Sequence, residues 1–472
     1  MSGQLRTLVR MDATRLAACF IVLVMLAGSA SRALAIPLFG SADEIGHFDY
    51  AYQVWHGQLP DFYAGTVVDQ VKGRQIPVQW VSQHPPLFYL ILAPVVGPLT
   101  DAGHILIAGM LARGVNILIG GLAVCAVMFA VVRAFPHHRP LALGAGLATA
   151  MSPWMQGVSG AVYNDAFATL LCTASIGVTA SVLRRGPRPS AWPLITVLAC
   201  LAGLTRLSLM AVIVPCVAAT AAEGVVRGKS RDRWGRLTGP AAGAATGVAV
   251  LATSGWFYAR NLRLTGSITG GHPEWSAEHL GRTARDFGSL VTDFSSWSGL
   301  LGIFSTGAAD PDLVFALLVL APCAIGSVWF FSALVRRRVT ARDIAIAALL
   351  GTVSVCVLAM QLKYSSGGGG LIPRYVLPII VPLTVCISAG LTGSRKARPF
   401  LVPMWAIVAA TLLLGWRRAV AVPDTSQFPT LPVAADAAMT IALTSVGIAT
   451  SLLVWTSTRP IPPNRGPRPT QP

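Results

Sequence analysis

Long apolar runs separated by polar segments dominate this sequence. A continuous apolar run of about 20 residues is long enough to cross a bilayer as a helix. The pattern predicts about twelve spans, within a range of eleven to thirteen, at 16–36, 107–132, 141–160, 165–183, 191–205, 207–222, 238–258, 313–335, 344–362, 375–393, 399–416 and 435–456. Segments at membrane depth are helices or closed barrels, and runs this continuously apolar indicate helices. The predicted fold class is an all-α polytopic membrane protein.

Two segments between predicted spans exceed linker length, 37–106 and 259–312. The first contains the apolar stretch Pro85–Leu99, which is short for a span and is interrupted by two prolines. We expect the region 84–100 to form an interfacial or re-entrant helix rather than a crossing. The second segment mixes Trp, Phe and charged residues, which is typical of an amphipathic surface helix. The run Gly367–Gly370 indicates a hinge or gate.

The chain divides by composition into three parts. Residues 1–395 form the predicted transmembrane module with its long first loop, 396–458 hold the C-terminal helices, and the Pro- and Arg-rich 459–472 reads as a disordered cytoplasmic tail. The arginine-rich start followed by the apolar Leu16–Leu26 also fits a cleaved signal peptide. With eleven further predicted spans, we favour an uncleaved first helix.

Composition excludes a soluble globular protein, because 54% of the residues are apolar and only 12% are charged. The net charge of +17 is unevenly distributed: segments between alternate spans hold 23 of the 36 basic residues and 4 of the 19 acids, which leaves −2 for the rest. This positive-inside pattern predicts a multi-pass protein of the plasma membrane with both termini cytoplasmic. The basic excess orients the chain and contacts membrane lipids; nucleic acid is not expected as a partner.

All eight cysteines fall inside predicted spans. That position argues against an extracytoplasmic disulfide, and their spacing fits no zinc site. We interpret them as small packing residues.

The segment Ser41–Tyr50 carries three carboxylates and a histidine directly after the first span. In a helix, Asp43 and His47 share one face at i and i+4, with Glu44 beside them. A carboxylate beside another acid can have a raised pKa, which suits a general base. A divalent cation held by Asp43, Glu44 and His47 is an alternative use of the same side chains. The plainer interpretation is an acidic loop that lies in water.

Two further polar groups stand at predicted span ends. His84 precedes a proline pair that fixes an extended entry into a helix, although a plain interfacial helix start explains it equally well. Asp165 opens the fourth span, preceded by Asn164 as a possible cap. A carboxylate at a helix N-terminus is favourable on electrostatic grounds alone, so this pair is weak evidence of a site.

Arginines at three span ends are candidates for binding an anion. Arg206 interrupts an apolar stretch that is too long for one span, and an arginine at that depth is costly unless it is paired or faces a wet cavity. Arg374 and Tyr375 open the tenth span, and Arg260 closes the seventh. Converging arginines bind a phosphate through forked hydrogen bonds. Each one alone is more typical of a snorkelling anchor.

The order of these segments resembles GT-C fold glycosyltransferases of the protein-mannosyltransferase and aminoarabinose-transferase kind, the family 39 and RgtA-like group. The shared order is an acidic pair after the first span, a basic residue before a double proline, an acid at the fourth span, a Thr-Lys or Thr-Arg pair between short spans, and an Arg-Tyr-x-x-Pro segment. It runs from about residue 15 to 395. His47 departs from the aminoarabinose enzymes. We expect no soluble C-terminal domain of the kind that such enzymes use to engage acceptors, so the resemblance does not carry over the acceptor.

The resemblance implies transfer of a sugar from a polyprenyl-phosphate donor to an extracytoplasmic acceptor, which is an envelope glycan, a lipid or a protein. It places the catalytic acid on Asp43 with Glu44 as its companion, and its further motifs fall on His84, Asp165, Arg206 and the pair Arg374 and Tyr375. The residue pattern makes Arg206, Arg374 and Tyr375 the candidates for binding the donor phosphate, with His47, His84, Asp165 and Arg260 as supporting residues.

From the residues themselves, we expect Asp43 to remove the acceptor proton and the two arginines to stabilise the leaving phosphate, with inversion. A cation on Glu44 and His47 that polarises the phosphate is a further option. A transporter or flippase of a lipid-linked precursor is the alternative function, although no matching halves are found. A ligase or polymerase of envelope glycans would centre its chemistry on 259–312.

Overall fold

The computed structural model describes residues 3–68, 77–186, 188, 190–228, 233–420 and 428–458. Throughout these ranges every regular element is a helix, which confirms the all-α class. The α-helices are α1 (Gly3–Ala35), α2 (Glu44–Trp55), α3 (Leu87–Asp101), α4 (Ile105–Ala134), α5 (Arg139–Ala150), α6 (Pro153–Ser159), α7 (Asp165–Arg185), α8 (Ala191–Gly203), α9 (Met210–Gly228), α10 (Arg233–Thr265), α11 (Pro273–Leu280), α12 (Phe287–Thr292), α13 (Phe294–Leu301), α14 (Pro311–Phe315), α15 (Ala321–Val335), α16 (Ala341–Ser366), α17 (Ile380–Thr392), α18 (Arg398–Ala419) and α19 (Pro432–Thr458). Three 3-10 helices (Trp80–Gln83, Leu207–Leu209 and Pro373–Ile379) and one π-helical turn (Ala316–Leu320) complete them. The predicted tail 459–472 lies outside the described residues.

Nine helical segments in the described part of the chain are long and apolar enough to cross a membrane, so the protein is an integral membrane protein. The predicted count of twelve is not confirmed. Apolar stretch 141–160 forms two helices, α5 and α6, because Ser152 caps the second one, its Oγ accepting from Met155 N at 3.2 Å, and Pro153 follows at the first helical position. Helix α8 has only 13 residues, and the 33-residue α10 is not among the nine.

Both long segments between predicted spans contain several helices in the part of the chain that the structure describes. In the first, α3 continues through Pro94 and Pro98 for 15 residues, about 22 Å, which is shorter than the hydrocarbon core of about 30 Å. It packs against α2 and α4. In the second, three short helices, α11 to α13, replace the single amphipathic helix that we expected.

Close helix packing depends on small residues where backbones meet. At the crossing of α15 and α17, a Cβ on Gly390 would lie 2.0 Å from the Pro322 carbonyl oxygen, and one on Gly326 would lie 2.6 Å from that of Cys386. Small residues let helices in a membrane approach this closely, since packing rather than the hydrophobic effect holds them together.

The remaining architecture surrounds α4, which contacts α1, α3, α5 and α7. Helix α1 packs along α19, and α7 packs along α4. Hydrogen bonds join the loop before α2 to the loop between α6 and α7 and to the 3-10 helix Pro373–Ile379, and they join the break between α8 and α9 to the start of α7. The predicted hinge 367–370 is in the same region. Gly368 has a φ of +90°, and a Cβ added to it would lie 3.2 Å from the backbone of Arg282.

Candidate active site

Asp43, at the N-terminal end of α2, forms an ion pair with Arg374, whose Nη2 donates to its carboxylate. The two residues are 331 positions apart in sequence. Tyr163 joins them: its hydroxyl accepts from the Asp43 backbone N–H at 3.1 Å, and the Arg374 guanidinium lies 5.2 Å from the centre of its ring. The side chain of Asp43 is 27% exposed and that of Arg374 is 14% exposed. The pair is therefore partly shielded but reachable from solvent.

The charge state of Asp43 is set by opposing effects. Partial burial raises the pKa of the carboxyl group, but the attraction and hydrogen bond of Arg374, with smaller contributions from His47 and Arg282, bring the pKa below its ordinary value. Our expectation that a neighbouring acid would raise the pKa is wrong. The charge of the neighbouring Glu44 is balanced by its own ion pair with Arg113. Because the pKa of Asp43 is lowered, its carboxyl group is ionised at neutral pH.

Glu44 is fully buried in a bidentate ion pair with Arg113 of α4. Arg113 Nε donates to one carboxylate oxygen at 2.7 Å and Nη2 to the other at 2.6 Å. The backbone N–H groups of Phe39 and Val162 each donate to the same carboxylate at 3.1 Å. Arg113 also donates to three backbone carbonyls at the end of α1, those of Ala33, Ile36 and Pro37. Each carboxylate oxygen thus accepts two hydrogen bonds, and the pair ties α1, α2, α4 and the loop before α7 together.

Asn116, one turn after Arg113 on the same face of α4, fixes the loop that carries Tyr163. Its Nδ2 contacts the carbonyl oxygens of Val158 at 2.7 Å, Ala161 at 2.6 Å and Tyr163 at 3.0 Å. The sequence interpretation passed over both α4 residues. An arginine and an asparagine inside the apolar run 107–132 were the available signal, because polar groups at membrane depth are costly and therefore usually functional.

A second ion pair joins Asp165, the first residue of α7, to Arg206 at 2.6 Å. The carboxylate is 5% exposed and the guanidinium 15%. Arg206 has an extended backbone (φ −159°) between α8 and the following 3-10 helix, which turns its side chain back towards α7. The Asn164 side chain makes no cap hydrogen bond; its Oδ1 lies 3.5 Å from Arg206 Nη1.

His47 lies between the two ion pairs and feels both carboxylates and both guanidinium groups. Its Nδ1 is 3.0 Å from the Tyr89 hydroxyl, and its ring contacts Tyr163 edge-on with centroids 5.2 Å apart. Burial lowers the pKa of His47 to about 4 despite the opposing attraction of the carboxylates. Burial, reinforced by Arg206, also brings the pKa of the neighbouring His84 well below its usual range. Both imidazoles are therefore neutral at pH 7.

Asp49, the third carboxylate of the acidic segment, organises the adjoining loop. It accepts hydrogen bonds from the side chains of Gln53 at 2.7 Å and Gln79 at 2.6 Å, and from the backbone N–H groups of Val67 at 2.7 Å and Val68 at 2.8 Å. Burial raises its pKa, against these hydrogen bonds. Gln79 in turn lines the wall of a cavity of about 60 Å³ beside Asp43, together with Ala42, Gly46, Val78 and Trp80.

The remaining predicted residues have different surroundings. The Tyr375 hydroxyl accepts from Arg374 Nη2 at 3.3 Å, so Tyr375 is part of the first ion pair. Arg260 donates to the Pro60 carbonyl at 2.8 Å and lies near the ring of Phe257. Arg260 thus anchors the segment after α2 to α10, which gives it a structural role at the edge of the site.

Three buried N–H donors around the two ion pairs have no hydrogen-bond partner: Arg206 Nε, Arg374 Nε and Asn164 Nδ2. Buried donors are nearly always paired, so each such group needs an explanation. Arg374 lies over the Tyr163 ring, and Arg206 contacts Asn164 and Asp165, so the three donors surround one short segment, 163–165. Together with two guanidinium groups, they form a surface that suits an anion with several oxygen atoms.

The same side chains do not fit a divalent cation. Both oxygens of Glu44 already accept two N–H hydrogen bonds each, and His47 Nδ1 contacts the Tyr89 hydroxyl. Across the described ranges, no group of three His, Cys, Asp or Glu residues has metal-binding geometry.

Comparisons with known proteins identify the fold. No protein-family model and no curated protein sequence matches the chain. Among solved structures, ArnT from Cupriavidus metallidurans in the apo state matches with a TM-score of 0.51 and 15% identity over 95% of this chain and 76% of the ArnT chain. The same protein bound to undecaprenyl phosphate matches with a TM-score of 0.48 and 15% identity, over 93% and 75% of the two chains. The oligosaccharyltransferase AglB from Archaeoglobus fulgidus, in complex with an inhibitory peptide and a dolichol-phosphate, gives 0.43 and 11%, over 98% and 57%. The likeness to apo ArnT shows that the chain has a GT-C fold, distant in sequence.

Proposed function

We propose that this protein is a membrane glycosyltransferase that takes a sugar from a polyprenyl-phosphate donor and passes it to an acceptor in the cell envelope. The observation that carries the proposal is the convergence of two arginine–carboxylate pairs around a neutral histidine, with three buried donors that lack an acceptor. The ligand of ArnT and AglB in the matched structures, a polyprenyl or dolichyl phosphate, is an anion of the kind that such donors bind. The charge asymmetry between alternate loops supports an extracytoplasmic location for this site.

Arg206 and Arg374 would hold the donor phosphate. In each guanidinium one terminal nitrogen donates to a carboxylate, while Nε has no hydrogen-bond partner. Asn164 Nδ2 is a further N–H donor without a partner. Negative charge grows on the phosphate as its bond to the sugar breaks. Fixed donors at that point stabilise the transition state more than the ground state, especially where exposure is as low as 15%.

Asp43 would act as the general base. It is ionised, borders the small cavity and lies on the same side of the site as Arg374. As the acceptor oxygen or nitrogen attacks the anomeric carbon, Asp43 takes its proton and the electrons of the breaking C–O bond leave with the lipid phosphate. This is one displacement with inversion and without a covalent intermediate.

The surrounding residues would position these groups. Glu44 and Arg113 fix the chain just beside Asp43, and Asp165 orients Arg206. We therefore propose a positioning role for Glu44, which the family resemblance gives as the companion of Asp43. His47, neutral and buried, separates the two ion pairs without adding a charge.

Binding of undecaprenyl phosphate to the purified full chain in lipid nanodiscs tests the donor site. Arg206→Gln and Arg374→Gln are each expected to weaken binding by at least tenfold, roughly the value of a charged hydrogen bond. Arg263→Gln is the matched control, because it removes the same charge from an exposed position near the end of α10. Equal affinities for all three variants would contradict the proposed donor site.

The transfer reaction is tested in cells. Envelope glycans, lipids and glycoproteins from a deletion strain are compared by mass spectrometry with those from strains complemented with the wild type or with Asp43→Asn. We expect one glycosylated species to disappear on deletion and to return only with the wild-type chain. Full restoration by Asp43→Asn would remove Asp43 from the mechanism. If the protein instead transports a lipid-linked precursor, the deletion strain would accumulate that precursor and would lose no glycan linkage.

A further inference from the structure

The proposed base, Asp43, and one of the arginines proposed to bind the donor phosphate, Arg374, are bound to each other. Arg374 Nη2 donates to the Asp43 carboxylate. A carboxylate paired in this way is a poor base, because the guanidinium stabilises its charged form. A phosphate arriving at Arg374 competes with that carboxylate for the same forked donors. The two interactions cannot both be at full strength.

We propose that the Asp43–Arg374 ion pair is a latch that the donor opens: the donor phosphate replaces Asp43 on Arg374 and thereby releases the carboxylate towards the acceptor. The inference rests on the proposed function, since it assigns regulation to the same site. Its consequence is an order of events, in which the acceptor is deprotonated only when the donor is bound.

The two ion pairs differ in a way that makes one of them the movable one. Both carboxylates lie at a helix N-terminus, but Asp165 is only 5% exposed. Asp43 is 27% exposed and lines the small cavity, so its side chain has space to turn aside. Asp165 therefore stays on Arg206 while Asp43 leaves Arg374.

Release changes the environment of Asp43 in the required direction. The groups that face it are Arg374, His47, Arg282 and the Tyr163 hydroxyl, which binds its backbone. With the Arg374 charge shared with a phosphate and His47 neutral, Arg282 is the remaining cation acting on the carboxylate among the described residues. Partial burial then favours the protonated form, so the released carboxylate accepts a proton more readily.

The latch makes a prediction that runs against the usual effect of damaging an active site. In nanodiscs, Asp43→Asn should bind undecaprenyl phosphate more tightly than the wild type, by about tenfold, because the competing anion is gone. Asp165→Asn is the matched variant, because it removes a carboxylate charge from beside the other arginine, Arg206. It should bind no more tightly than the wild type, because Arg206 loses the partner that orients it. Equal tightening in both variants would show a general charge effect and overturn the latch.

Carboxyl footprinting provides a direct readout. The wild-type chain is labelled with a carbodiimide and an amine, with and without undecaprenyl phosphate, and labelled peptides are quantified by mass spectrometry. Labelling of Asp43 should increase with the lipid phosphate and that of Asp165 should not. Binding that depends on Arg374 together with unchanged or reduced labelling of Asp43 would overturn the latch alone. Failure of the lipid phosphate to bind any form of the protein would overturn both the latch and the proposed function.

Discussion

The buried Glu44–Arg113 pair gives the sharpest test of how the site is held together. Replacing Glu44 with glutamine keeps the size of the side chain but removes its charge. Arg113, 1% exposed, then keeps three backbone carbonyls and loses its counter-ion. The substitution also replaces one acceptor oxygen by an NH₂ group, which faces two of the four N–H donors that the carboxylate now satisfies.

The expected loss of stability is about 3–5 kcal/mol, the range for removing one partner of a buried ion pair. Most of that cost is the charge left on Arg113, not the net value of the pair. The double variant Glu44→Gln with Arg113→Gln should therefore lose less than the sum of the two single variants, with a coupling of at least about 2 kcal/mol.

Unfolding in mixed detergent micelles with increasing SDS, followed by tryptophan fluorescence, measures these differences. Asp436→Asn is the matched control, because Asp436 pairs with Arg417 at 3.0 Å but is 65% exposed. Exposed pairs contribute little, so this variant should unfold close to the wild type. A Glu44→Gln protein as stable as Asp436→Asn, or strictly additive single and double variants, would refute the positioning role of Glu44.

Three further predictions test other parts of the molecule. Burial lowers the pKa of His47 from 6.5 to about 4, so between these pH values the unfolded chain binds a proton that the folded chain does not. The free energy of unfolding should therefore fall by up to about 3 kcal/mol as the pH drops from 6.5 to 4, and His47→Phe should flatten that part of a pH-dependent unfolding curve. Asn164→Leu should weaken binding of undecaprenyl phosphate without loss of thermal stability, since the buried Nδ2 that it removes is unpaired; a large drop in melting temperature would contradict this. Gly390→Ala should destabilise the protein by about 1–3 kcal/mol, because its Cβ would lie 2.0 Å from the Pro322 carbonyl oxygen, while folded protein keeps its affinity for the lipid phosphate; an unchanged melting temperature would show that α15 and α17 can separate.

The helical class followed from the sequence because the bilayer leaves few options. A run of about 20 apolar residues must satisfy its backbone hydrogen bonds internally, so the run itself predicts a helix. The number of crossings was harder to predict, because length alone does not show where a helix is interrupted. Ser152 and Pro153 divide one predicted span into α5 and α6, and their capping is visible in the sequence only once the break is known.

The candidate site was partly accessible in the same way. Acidic and basic residues at span ends, assigned to one side by the charge pattern, indicated that Asp43, Arg206 and Arg374 face a common region. Arg113 was missed because attention to span ends passed over a charge within a span. Its position at membrane depth was a usable signal.

Local sequence determined that the apolar runs are helical and which side chains bring charge, because these properties depend on a residue and its near neighbours. Tertiary structure alone decided which carboxylate meets which arginine. Asp43 and Glu44 are adjacent, yet one pairs with Arg374 at the partly exposed rim and the other with Arg113 in the interior. That division follows from how α1, α4, α7 and the segment before α17 pack. As a result, the pKa of Asp43 is lowered, whereas its neighbours in sequence predicted a raised pKa.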